Sequence, residues 1–433
     1  MTGRYQEYPE YRDSGVKWLG DVPISWDVIP LKHLAELNPK KSGIKEKKLS
    51  ELCSFLPMEK LKLNSLKLDE TKNVSDVYDG YTYFENEDLL IAKVTPCFEN
   101  KNMAIAKELH NGLGFGSSEI YVLRANAKLN NQFLFYRLQE DSFMEIAIAA
   151  MSGAGGLKRV PAEIINTYTA AFPCIQEQQK IAYFLDHETA KIDTLIAKQE
   201  KLIELLKEKR QAVISHAVTR GLPSLNGRAT PMKDSGVEWL GEVPEHWRVV
   251  KLSYFLKLQS GDTITSSLIE KEGKYPVFGG NGQRGFTSSY NCDGEYVLIG
   301  RQGALCGNIN IAKNKFFASE HAVVVYPYVK FNLIFISEFL RFMNLGQYSV
   351  SAAQPGISVE RIKGLKIAIP PLSEQITIAK YLENKISIFE RLTEKSTAQI
   401  TLLKERKTAL ISAAVTGKID VRHFALKEEV NHG

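Results

Sequence analysis

Two stretches, 177–219 and 374–416, carry apolar residues at alternating spacings of three and four with no glycine or proline between them. In the first, Ile181, Leu185, Ile192, Leu195, Leu202, Leu206 and Val213 hold one phase. In the second, Ile378, Leu382, Phe389, Leu392, Leu403 and Leu410 do the same. That period predicts two long amphipathic helices. Pro173, and Pro370 with Pro371, favour an extended approach to each; Ser373 is expected to cap the second helix, and Gly221 and Gly417 to end the pair. A stripe sustained over about 40 residues needs a partner helix, because burial is what stabilises so long a helix in water. The obvious partner is the other copy. The coiled-coil seam is expected at Leu185, Ile192, Leu195, Leu202 and Leu206 against Leu382, Phe389, Leu392, Leu403 and Leu410. Glu188, Lys385, Gln199 and Ser396 are polar positions that could fix register. The competing arrangement packs each helix separately on its own domain.

The helices are one half of a larger repetition. Residues 177–219 and 374–416 share 18 of 43 identities at an offset of 197. Upstream of each, DSGVKWLGDVPISW (13–26) and DSGVEWLGEVPEHW (234–247) share ten of fourteen at an offset of 221. The offsets leave the stretch between these landmarks 24 residues longer in the first half, and the two middles look unlike each other. A chain that repeats its frame and varies its inserts holds two different readers in one scaffold.

Only about fourteen residues separate the first helix from the second DSGV segment, too few to travel back along roughly 60 Å of helix. If the helices pair, the second must return antiparallel. The expected fold is therefore mixed α/β (α+β): two recognition domains at opposite ends of a pair of long antiparallel coiled-coil helices, with a pseudo-two-fold internal repeat. The expected boundaries are 11–175 and 234–372 for the domains, 176–219 and 373–416 for the spacer helices, 220–233 for the linker and 417–433 for the tail.

Paired readers at a fixed separation suit double-stranded DNA, whose half-sites recur along one axis. In the first insert, Lys40, Lys41, Lys45, Lys47 and Lys48 form a basic run suited to phosphates. Lys93, Thr95, Asn100 and Lys101 gather near a probable strand end, and Ser117, Ser118, Lys158 and Arg159 complete the candidate set. In the second, a glycine-rich loop presents Asn281, Gln283 and Arg284, and Arg301 with Gln302 follows the apolar strand EYVLIG. Arg, Asn and Gln can make bidentate contacts to purine edges, and glycine lets backbone come close. Any one of these, taken alone, could equally be a solvated loop side chain. Trp18, Trp26, Trp239 and Trp247, all four tryptophans, fall in the repeated DSGV segments and either pack domain on helix or dock a partner twice.

Composition narrows the class without naming a ligand. The 433 residues predict two or three domains, and 44% hydrophobic with 24% charged residues is an ordinary globular mixture. The formal charge is only +5, and the first helix balances seven basic against seven acidic residues. No window reaches the apolar length of a membrane helix, and the N-terminal residues lack signal-peptide character, so a cytoplasmic protein without membrane association is expected. Five scattered cysteines suggest neither disulfides nor zinc. No phosphate loop, dinucleotide fingerprint, His-Glu-x-x-His pair or Asn/Asp-Pro-Pro-aromatic loop is present. His321 beside Glu320 is the one adjacent His–carboxylate pair well inside a variable region, and a core or surface role is expected for it. Catalytic, metal and cofactor sites are expected to be absent from this chain.

The repeated DSGVxWLGxVPxxW segment, the EQ-initiated helices ending in AVT, and the stretches AKVTPCFEN, GFGSSEIYVLR, YPVFGGNGQRG and LIGRQGALCGNIN resemble the specificity subunits of type I restriction-modification systems. The resemblance runs from about Tyr11 to about Asp420. It implies that each middle is a target recognition domain for one half of a bipartite DNA sequence, and that the helices are an antiparallel spacer. It also implies two methylation (M) subunits, which use S-adenosylmethionine, and restriction (R) subunits, which use ATP and Mg. The alternative is the recognition subunit of a related system whose partner fuses methyltransferase and nuclease. A protein-binding adaptor with duplicated heads is the reading from a different class.

Overall fold

The computed structural model describes residues 5–44, 49–154, 156–223, 230–303, 305–349 and 356–424. It divides into two compact units, 1–198 with 399–433, and 199–398. The cuts fall inside both long helices rather than at their ends, so each unit holds the start of one helix and the end of the other.

In the first unit, one four-stranded sheet contains β1 (Ala35–Leu37), β5 (Leu89–Ala92), β6 (Met103–Ile105) and β8 (Ile120–Ala125) in the order β6-β5-β8-β1. The other contains β2 (Leu52–Leu56), β3 (Thr71–Asn73), β4 (Thr82–Glu85) and β7 (Leu113–Gly116) in the order β3-β2-β7-β4. The run LLIA of β5 is buried along its length, as expected of a strand covered on both faces. Helix α1 (Asn131–Arg137) follows β8, capped by Asn130, whose side chain accepts from Phe133 N at 2.8 Å. Helix α2 (Ile175–Arg220) then begins.

The second unit repeats this plan. Strands β9 (Leu256–Ser260), β13 (Tyr296–Gly300), β14 (Ile309–Ala312) and β16 (Ala322–Pro327) run in the order β14-β13-β16-β9. Strands β10 (Tyr275–Gly279), β11 (Gly282–Thr287), β12 (Cys292–Asp293) and β15 (Lys315–Ala318) run in the order β11-β10-β15-β12. In both units the central pair of this sheet, β2 with β7 and β10 with β15, is parallel. Helix α3 (Leu333–Phe342) is capped by Asn332 as α1 is by Asn130, and helix α4 (Leu372–Val415) closes the repeat. The inserts that look unlike in sequence thus share one topology. Half of their length difference lies between two strands: residues 57–70 connect β2 to β3, whereas 280–281 connect β10 to β11.

Each long helix is fastened to its own unit by its Glu-Gln start. Glu177 Oε1 accepts from Trp26 Nε1 at 2.9 Å and from Tyr8 Oη at 2.7 Å, while Gln178 Oε1 accepts from Asn130 N and its Nε2 donates to Pro173 O. Glu374 Oε1 accepts from Trp247 Nε1 at 3.1 Å, and Gln375 bonds Asn332 N and Pro370 O in the same way. Burying an indole with its N–H satisfied is what fixes these joints. The incoming helix ends complete them. Gly417 and Gly221, both at φ +74°, end α4 and α2 as expected, and a Cβ on either would meet Trp26 or Trp247 within 3.5 Å. Trp26 and Trp247 are therefore core residues, whereas Trp18 is 48% exposed with its Nε1 3.4 Å from Thr169 O, and Trp239 rests on Phe339 and Phe342.

Within the first unit the helices run antiparallel: Lys180 Nζ donates to Arg422 O, and Lys407 Nζ lies 2.7 Å from Asp193. Leu185 and Ile192 share a core with Leu410, and Ile196 and Leu403 pack against it. Leu382 is buried in the second unit. Leu206 and Phe389 are half-buried. Three expected seam residues are not in the seam: Leu195 (46% exposed), Leu202 (42%) and Leu392 (42%) face solvent. The buried stripe keeps a strict heptad phase through Ile196, Gln199 and Ile203, and through Thr393, Ser396 and Ile400, so polar side chains hold the central positions while the neighbouring leucines point away. Ser396 is buried, Glu188 is buried beside Tyr5 Oη, and Lys385 is half-buried over Tyr381. Helix α4 starts at Leu372, which puts Ser373 in its first turn rather than at its cap. Among the described residues no helix is long and apolar enough to cross a membrane.

Candidate nucleic-acid interface

The first unit brings several of the candidate residues to one rim. An open groove of about 500 Å³ is lined by Lys40, Lys41, Lys93, Ser118, Tyr78, Tyr81 and Tyr83, among others. Lys40 is exposed; Lys41 Nζ donates to Tyr78 O and stands 4.5 Å from its ring, and Lys93 Nζ lies 5.3 Å from the Tyr121 ring centre. Tyr81, which sequence reasoning did not select, is 39% exposed and edge-on to Phe55 at 5.0 Å. Tyr81 lies just before β4, and nothing in the segment YTYFE marks which of its two tyrosines is the more exposed.

Thr95 Oγ1 accepts from Lys158 N and donates to Gly156 O, which pins the 156–159 segment beside β5. Arg159 lies over Glu119 in a bidentate pair, 2.7 and 2.9 Å, and that guanidinium holds the Glu119 carboxyl below its usual range. Ser117 Oγ accepts from Glu119 N. Asn100 is exposed. Lys101 is not available to a phosphate: its Nζ donates to Gln139 O at 2.6 Å and pairs with Asp141. Lys45, Lys47 and Lys48 lie outside the described residues.

In the second unit the expected glycine-rich loop is a β-hairpin. Strands β10 and β11 are joined by Gly280 and Asn281, with a bulge at Val277/Phe278, and Gln283 and Arg284 stand exposed on β11 itself. The glycines are spaces for neighbours: a Cβ on Gly279 would lie 2.4 Å from Arg284 Cδ, and one on Gly280 2.8 Å from Gln302 O. Asn281 Oδ1 accepts from Asn308 Nδ2, Gln302 is exposed, and Arg301 Nη1 reaches Ser260 Oγ at 3.2 Å.

The two rims are built on one hydrogen-bond frame. Lys93 N donates to Glu119 O (3.0 Å) as Arg301 N donates to His321 O (2.9 Å). Val160 N donates to Lys93 O as Ile357 N donates to Arg301 O, both at 2.9 Å, and Ser117 N donates to Leu56 O as Ser319 N donates to Phe278 O. Lys93 and Arg301 therefore occupy one position, and Glu119 and His321 another. A duplicated frame with exchanged side chains thus accompanies the repeated helices, and the model of the family described as type I restriction modification DNA specificity domain matches residues 23–205 and 244–402.

The chain belongs to that family.

The specificity subunit of type I restriction enzyme EcoprrI from Escherichia coli is 41% identical over 149 residues, 34% of this chain and 37% of that protein. The EcoKI specificity subunit of Escherichia coli strain K12 is 20% identical over 96% of this chain and 93% of its own length. With the former, the chain's match spans a little over a third of the relative. A chain in a solved structure concerned with complex assembly and conformational transition of the type I R-M system aligns at a TM-score of 0.70 and 17% identity, covering 92% of this chain and 99% of that one. That likeness shows a shared fold. Within this family frame, the candidates that the structure brings together lie on two rims, one per unit; Glu119 and Tyr81, which the sequence did not single out, join the first, and His321 stands in the second at the position equivalent to Glu119. Among the described residues no group of three or more His, Cys, Asp or Glu side chains could hold a metal ion.

Proposed function

We propose that the chain is a DNA-specificity subunit that reads an asymmetric, two-part target in duplex DNA, one part with each unit. The observation that carries the proposal is the duplicated frame whose equivalent positions differ in chemistry: Lys93 and Glu119 in one unit, Arg301 and His321 in the other. Cationic and amide side chains on concave or hairpin surfaces suit phosphate positioning and purine edges. The chain itself is noncatalytic. It acts with two M subunits, which supply S-adenosylmethionine chemistry on adenine, and with R subunits, which supply ATP- and Mg-dependent translocation and cleavage. Such a complex works in the cytoplasm.

Selection from a random duplex pool, with methylation subunits added, tests this directly. Enrichment of one two-part sequence with an undetermined spacer is the expected result. Enrichment of no such sequence would favour the adaptor reading and end this one.

A further inference from the structure

We propose that Glu119 and His321, equivalent positions in the two frames, are specificity-determining residues, each setting a base preference in one part of the target. The inference rests on the DNA-reading function proposed above. Glu119 directly precedes β8 and His321 directly precedes β16, and the carbonyl of each is bonded to the backbone of a basic residue, Lys93 or Arg301. Each pair of side chains therefore starts from a rigid, shared platform, and only their chemistry differs.

In the first unit the carboxylate of Glu119 takes two N–H groups of Arg159, whose side chain is 46% exposed. A guanidinium gripped on one edge presents its remaining donors in a fixed direction, which suits the two acceptors of guanine in the major groove. Glu119 is thus a positioning residue for Arg159. In the second unit His321 Nε2 lies 3.2 Å from Glu320 Oε1, and its Nδ1, like the buried Ser319 Oγ next to it, has no partner among the described residues. Those two atoms are closed to solvent, but the His321 side chain is 37% exposed, so its imidazole, held beside Glu320, is the part that a base edge can meet. The hairpin carrying Gln283 and Arg284 backs onto this point, since Gly280 lies against Gln302 O and His321 O.

Selection from random duplexes by the full chain with its methylation subunits separates the outcomes. Glu119→Ala is expected to flatten preference at a base pair in one part of the target by roughly tenfold or more, leaving the other part as in wild type. His321→Ala is expected to do the same in the opposite part. Glu119→Gln and His321→Asn, close in size, repeat the test should the alanine variants unfold. An unchanged two-part sequence in these variants, or weaker binding with base preferences intact, would overturn the inference. If the wild-type chain itself enriches no two-part sequence, the failure belongs to the DNA-reading function.

Discussion

The two units use one joint in two chemical versions. In the first, the buried carboxylate of Glu177 collects Tyr8 and Trp26, so two buried donors converge on one oxygen. In the second, Glu374 collects Trp247 on one oxygen and the half-exposed His246 on the other, 2.7 Å away. A second contrast lies one layer away. Arg137 is fully buried in the first unit, with Nη1 on Val415 O, its guanidinium 5.9 Å from the Tyr168 ring centre, and no hydrogen-bond partner for Nε or Nη2 among the described residues, where the second unit, aligned by its helix caps, has the apolar Phe339. The frame is conserved between the units by backbone and by Trp–Glu–Gln contacts. Polarity around it is free to drift.

That comparison can be broken at four points. Glu177→Ala strands two buried donors and is expected to cost about 3 kcal/mol, against about 1–2 kcal/mol for Glu374→Ala, whose His246 can turn to water. Urea unfolding monitored by tryptophan fluorescence measures both, and equal losses would show that the joints are energetically alike. Next in size is the glycine pair. Both residues sit at φ +74°, but a Cβ on Gly417 meets Pro23 at 2.6 Å whereas one on Gly221 meets Glu374 Oε1 at 3.1 Å. Gly417→Ala should cost roughly 2–3 kcal/mol and Gly221→Ala roughly 1–2 kcal/mol; a reversed order would contradict the packing described.

The seam supplies the third. Ile196→Asp is expected to lower stability by about 2–3 kcal/mol and the adjacent Leu195→Asp by less than about 0.5 kcal/mol. Similar melting temperatures for the two variants would return Leu195 to the seam. The smallest effect is at Arg137. Because so poorly paired a buried charge gains little, Arg137→Met should shift the unfolding free energy by no more than about 1 kcal/mol in either direction. A loss of 3 kcal/mol or more, about the cost of leaving a buried charge without its partner, would show that the guanidinium is well satisfied.

The helices, their glycine stops and the duplication were legible because periodicity and identity survive without knowledge of tertiary contacts. The common topology of the inserts was not. Their shared frame consists of backbone hydrogen bonds such as Lys93 N to Glu119 O and Arg301 N to His321 O, which leave no trace in side-chain identity. The seam was misplaced at Leu195, Leu202 and Leu392 because leucine attracts a hydrophobic stripe, while the structure keeps phase through Gln199, Thr393 and Ser396. The rims were partly legible. Basic residues at Lys93, Arg159, Arg284 and Arg301 were visible, but Lys101 was lost to Gln139 O, and nothing in the sequence singles out Glu119, whose role depends on Arg159 reaching it from 40 residues away.

The first unit is closed by residues from the far end of the chain: Leu410, Ile411, Ala414 and Val415 belong to its core, and Gly417 seals Trp26. The second unit is contiguous, 199–398. During synthesis, therefore, the segment made first is finished last. A nascent chain halted near residue 400 owns every residue of its second unit and an open first one, with Trp26 and Leu185 awaiting partners not yet translated. Loss of the C-terminal tail is consequently a lesion of the N-terminal domain.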